Sequence, residues 1–127
     1  MIKEIRDISG GIIVTLDTGS KILRTVPREK AFYFFTSMGN YSGVSASSLR
    51  EFMDKINEVN VKSLEFHLGR GDFEKWVAEV LQDAELAGDI RRLQKLSLTG
   101  NSLRDQLSLT VSRRFKRLSS QTGSSRF

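Results

Sequence analysis

From Ser48 to Leu118 apolar residues recur at intervals of three and four in one segment after another, and this spacing most limits what the chain can become. Positions three and four apart share one face of an α-helix, so each segment reads as a helix whose apolar stripe must be buried against a neighbour. The first runs through Leu49, Phe52, Met53, Ile56 and Val59, introduced by the capping-box pair Ser48 and Glu51. A shorter one, Val61, Leu64 and Leu68, is ended by Gly69 and Gly71. Asp72 reads as the cap of the next, with Phe73, Trp76, Val77, Val80 and Leu81 as its stripe. A fourth starts at Asp83, buries Leu86, Ile90 and Leu93, and extends to Leu98 before Gly100 stops it. The fifth, capped by Asn101 or Ser102, carries Leu103, Leu107, Val111, Phe115 and Leu118 on one side. Arg104, Arg113, Arg114, Lys116 and Arg117 lie on its other side.

Upstream the pattern changes. Ile12, Val14 and Leu16, then Asp17 to Ser20 with Gly19, then Ile22, Leu23 and Val26 read as two β-branched runs about a tight turn, a hairpin signal. Residues 2–8 read as a third strand or as a short helix, since Ile2, Ile5 and Ile8 are spaced by three. Pro27 ends this region, having no amide hydrogen to donate. The aromatic run Phe32, Tyr33, Phe34 and Phe35 follows and reads as a short buried strand leading through a loop, GNYSG, into the first helix. The expected fold is therefore α+β, an N-terminal β-hairpin and a short aromatic-rich strand followed by four or five short helices. One small domain is expected over residues 1–118, with a hairpin region at 1–27, a strand and helical core at 31–98 and a basic amphipathic helix at 101–118. The polar run at 119–127 is expected to be disordered.

The stretch from the aromatic run and GNYSG through SLEFHL and DFEKWV to LQDAELA resembles an uncharacterised family of small archaeal and bacterial proteins, a domain of unknown function. The resemblance covers about residues 31–90 and leaves out the region before it and the basic helix after it. It implies a shared packing signature and nothing about activity.

Charge narrows the classes of partner. Residues 1–90 hold 11 Lys and Arg against 14 Asp and Glu, while residues 91–127 hold 9 against 1, so the net charge of +5 combines −3 with +8. The C-terminal cations Arg91, Arg92, Lys95, Arg104, Arg113, Arg114, Lys116 and Arg117 are candidate contacts for the phosphates of nucleic acid or another anion. The absence of cysteine excludes a disulfide framework and, with a single histidine, the usual zinc ligand sets. No metal and no cofactor is expected. Lys3, Glu4, Arg6 and Asp7 interrupt any leader-like apolar run, so no membrane span is expected and the chain reads as cytoplasmic.

The remaining chemistry-bearing residues have structural readings of their own. His67 acts as a catalytic base only if a carboxylate such as Glu65 or Asp72 orients it, and otherwise reads as a packed imidazole fixing the connection from Gly69 to Asp72. Asp72, Glu74, Glu79, Asp83, Glu85 and Asp89 fall at helix starts and on polar faces, where acids favour the positive end of the helix dipole. Gly39, Asn40, Tyr41, Ser42 and Gly43, with His67, form a candidate ligand loop, although GNYSG matches neither phosphate-binding fingerprint. No catalytic residue is assigned. The leading expectation is a non-enzymatic interaction or regulatory module that engages a protein partner or associates with itself. Nucleic-acid binding through the basic helix comes second, and a small enzyme centred on His67 third.

Overall fold

The computed structural model describes the backbone of residues 14–124 and the side chains of residues 18–120. The element expected over residues 2–8, and Ile12 of the expected hairpin, lie outside those residues. The order is α1 (Val14–Ile22), a 3-10 turn (Arg28–Lys30), β1 (Phe32–Ser37), β2 (Asn40–Ala46), α2 (Leu49–Ile56), α3 (Val61–Arg70), α4 (Asp72–Trp76), α5 (Ala84–Gln94) and α6 (Gly100–Ser124). A π-helical turn, Val77–Leu81, prolongs α4.

The class is α+β as expected, but the hairpin lies elsewhere in the chain. Val14–Ile22 is helical, with the Leu23 amide donating to the Gly19 carbonyl at 3.1 Å in place of the expected β-turn. Ile22 is buried, and α1 packs against α6. Residue preference is a weak prior that such packing overrides. The hairpin of the described residues is antiparallel β1–β2, so GNYSG is half of a strand pair and not a loop into a helix. Phe34 pairs with Val44 and Phe35 with Tyr41, leaving an irregularity at Ser42 and Gly43. Gly39 in the turn has φ +74° and Gly43 at the bulge has φ +85°, conformations that side chains resist.

Five helices follow the hairpin, and their caps explain most of the boundaries. Ser48 Oγ accepts from the Glu51 amide at 3.1 Å, while Glu51 reaches back to the Ser47 amide at 2.7 Å. Asn60 accepts from the Lys62 amide, and Asp83 from the Leu86 amide. Gly71, with φ +77°, ends α3. Three readings are corrected. Asp72 makes no cap bond, because its carboxylate turns back onto α3. Gly100 does not stop α5, which ends at Gln94, but begins α6, donating its amide to Glu65 Oε2 at 2.9 Å and placing Asn101 and Ser102 inside the first turn. Nor is α6 short, since it continues through Ser124 into the segment expected to be disordered.

One apolar core joins these elements. Phe34, Phe52 and Phe73 are fully buried at its centre, with Phe52 between Phe73 and Trp76 at ring separations of 5.3 and 5.4 Å. Leu103, Leu107, Val111 and Leu118 close it from α6, as their spacing predicts. Among the described residues no helix is long and apolar enough to cross a membrane.

Candidate functional site

The aromatic run alternates, as a pleated strand must. Phe32 and Phe34 face the core, while Tyr33 and Phe35 face the other side of β1 and are half-buried. Helix α3 packs along β1, its His67 reaching the Phe35 amide. Together they leave a cleft of about 340 Å³ lined on one flank by Phe35, Met38 and Gly39 and on the other by Phe66, His67 and Arg70. At its mouth Met38 is 75% exposed at the hairpin turn.

His67 lies at the base of this cleft and is 4% exposed. Phe35 donates its backbone N–H to His67 Nε2 at 2.8 Å, so Nε2 carries no proton. The neutral ring therefore has its proton on Nδ1, which donates to Asp72 Oδ2 at 2.8 Å. One imidazole thus ties β1 to α3 and to the start of α4, with both nitrogens engaged. Burial lowers the His67 pKa from its ordinary value, opposed by the Asp72 hydrogen bond and charge and reinforced by Arg70. Protonation would also point an Nε2 hydrogen at the Phe35 amide hydrogen. Arg70 completes the group: its Nε donates to Asp72 Oδ2 at 3.0 Å, and its guanidinium lies 5.2 Å from the Phe66 ring centre, a cation–π contact.

Of the candidate ligand loop, only Gly39 and His67 line the cleft. Ser42 Oγ donates to the Phe34 carbonyl at 2.6 Å and accepts from the Val44 amide. Asn40 is bonded to Thr36, and Tyr41 packs its ring against Tyr33 and Phe35. The hairpin itself uses these groups. Met38 and Phe66 carry no motif in the sequence, although a bulky apolar residue at a turn is a signal for the first.

Five of the eight C-terminal cations have internal partners. Arg91 pairs with Glu74 at 2.8 Å, Arg92 with Asp89 on its own helix, and Arg117 with Glu85. Arg104 donates to the Val59 carbonyl at 2.6 Å, closing the chain after α2. Arg114 is buried and grips buried Asp83 with two bonds, Nε to Oδ2 at 2.8 Å and Nη2 to Oδ1 at 3.1 Å. The Arg117 hydrogen bond holds the Glu85 pKa below its ordinary value, opposed by burial and reinforced by the Arg114 and Arg117 charges. Lys95, Arg113 and Lys116 are exposed and make no ion pair among the described residues.

Among the described residues no group of three or more His, Cys, Asp or Glu side chains is placed to hold a metal ion. A family model described as a family of unknown function, DUF5752, matches residues 1–112. The match therefore reaches well beyond residues 31–90 at both ends. No curated protein and no solved structure matches the chain.

Proposed function

The chain belongs to the DUF5752 family, a family of unknown function, and from that premise we propose that it is a non-enzymatic interaction module binding a partner protein in the cleft between β1 and α3. The observation that carries this reading is an apolar cleft whose polar groups are already paired with one another. His67 and Asp72 are joined, and Arg70 bonds the same Asp72 oxygen. A site whose buried polar groups are already engaged selects in its interior by shape and apolar burial, and Met38 at its mouth has the unbranched, adaptable side chain that suits varied partners. At about 340 Å³ the cleft is at the small end for organic ligands and takes a bulky side chain or two. Arg70 is half-exposed, and a guanidinium has five donors, so it retains hydrogen-bonding capacity at the rim. The partner segment is therefore an apolar anchor flanked by a carboxylate.

Selection of displayed random peptides on the full chain tests this. Enriched sequences should share a large apolar residue beside an acid and should bind Met38→Asp at least tenfold more weakly, while Lys95→Gln binds them normally. No enrichment, or enriched peptides indifferent to Met38→Asp, would remove the cleft as the binding surface.

A second reading, nucleic-acid binding through the basic helix, is supported by the free cations Lys95, Arg113 and Lys116. It predicts affinity for labelled duplex DNA or structured RNA that falls steeply with salt, through counterion release. Absence of binding at low salt disposes of it.

A further inference from the structure

Helices α5 and α6 pack side by side through buried Ile90, Leu93, Leu107 and Val111, and a groove of about 410 Å³ opens along their outer seam. Asp89, Arg92 and Leu93 line it from α5, and Thr110, Arg113 and Arg117 from α6. Three guanidiniums and one carboxylate thus face a single cavity, a surplus of two positive charges among its lining groups. We infer that this groove is a binding site for one phosphate group of a small phosphorylated molecule. The inference is independent of the cleft and of its partner.

The ion pairs at this seam help such a site. Arg92 is held by Asp89 and Arg117 by Glu85, and each carboxylate occupies only part of a five-donor fork. Two guanidiniums are thereby positioned before any ligand arrives, which lowers the ordering cost of binding. Glu85 also draws on Arg117 from outside the groove, so the surplus that an anion meets rests chiefly on Arg113. That side chain is exposed and makes no ion pair or hydrogen bond among the described residues. Thr110, one turn before it, adds a hydroxyl donor, and Leu93 gives the groove an apolar floor. Arg guanidiniums match phosphate oxygens in pairs, which lysines cannot do. Arg113 and Arg117 are four residues apart, about 6 Å along the helix axis, a length suited to one phosphate and not to a run of them.

The test is a titration of the full isotope-labelled chain with inorganic phosphate, followed by backbone amide NMR shifts and compared with chloride at equal ionic strength. Saturable shifts confined to the facing turns of α5 and α6 are expected. Arg113→Gln should weaken them roughly tenfold, the loss of one charge-assisted contact, without changing the melting temperature, and Lys95→Gln should leave them intact. Glycerol phosphate and vesicles of phosphatidylcholine with phosphatidic acid then separate a soluble ligand from a lipid headgroup, the same chemistry from two sources. Shifts that follow ionic strength, saturable shifts indifferent to Arg113→Gln, or binding confined to an oligonucleotide would each overturn the assignment.

Discussion

The histidine junction and the α5–α6 seam both place ionisable groups against the core, and they treat them in opposite ways. At the junction each polar group is matched: the two nitrogens of His67 meet one donor and one acceptor, and Asp72 serves both His67 and Arg70. Aromatic rings surround it, Phe32 at 4.8 Å and Phe73 at 5.5 Å from the imidazole. At the seam the one buried ion pair, Arg114 with Asp83, is equally complete, but the charges outside it are not balanced. Buried charge must be paired or it destabilises the fold severely, whereas exposed charge costs little either way. A surplus can therefore persist only on the surface, and there it is available to a ligand.

Substitutions can break this contrast, and the largest effect belongs to the aromatic core. Phe52→Ala, at a fully buried position touching four aromatic rings, should lower the unfolding free energy by about 3–5 kcal/mol in urea denaturation. Next comes Asp83→Ala, which leaves Arg114 buried without its main partner and removes the α5 cap, for a loss of about 3 kcal/mol in the same assay. Asp83→Asn keeps a capping acceptor and should cost less. If the two variants were equal, the ion pair rather than the cap would carry the loss.

Acid tests the junction more gently. The folded protein holds the His67 pKa below its ordinary value, so the unfolded chain takes up the proton first. Stability should therefore be complete above the ordinary imidazole range, about 6.5, and fall as the pH drops from there toward the lowered value. His67→Gln, whose amide does not titrate, should flatten the slope of unfolding free energy between pH 7 and 5, and an unchanged slope would assign it to the carboxylates. The smallest effect is expected at the seam's surface. Arg117→Ala, removing a half-exposed partner of half-exposed Glu85, should change stability by about 0–1 kcal/mol, and by still less in high salt. A loss as large as that of Asp83→Ala would erase the distinction between buried and surface charge drawn above.

How much of this could be read without coordinates depended on the range of the interaction. The helical stripes were legible because the information lies within three or four residues: Leu49, Phe52 and Ile56 are buried where their spacing put them. The Ser48 and Asp83 caps were legible for the same reason. Val14–Ile22 was misread because β-branched residues and Gly19 look like a hairpin locally, while Ile22 packs in a core completed by residues nearly one hundred positions away. Asp72 was misread because a carboxylate at a helix start fits a cap as well as it fits a histidine five residues behind it.

The candidate sites divide along the same line. The amino-acid order by itself determined a cysteine-free α+β chain, its amphipathic faces and the concentration of cations after residue 90. Only the tertiary structure decided which cations are spent, since Arg114 finds Asp83 31 residues away and Arg117 finds Glu85 32 residues away, while Arg113 beside them finds neither. Neighbouring residues on a helix point in directions about 100° apart, so composition supplies the charges, and the packing of one helix on another selects which of them remain outside.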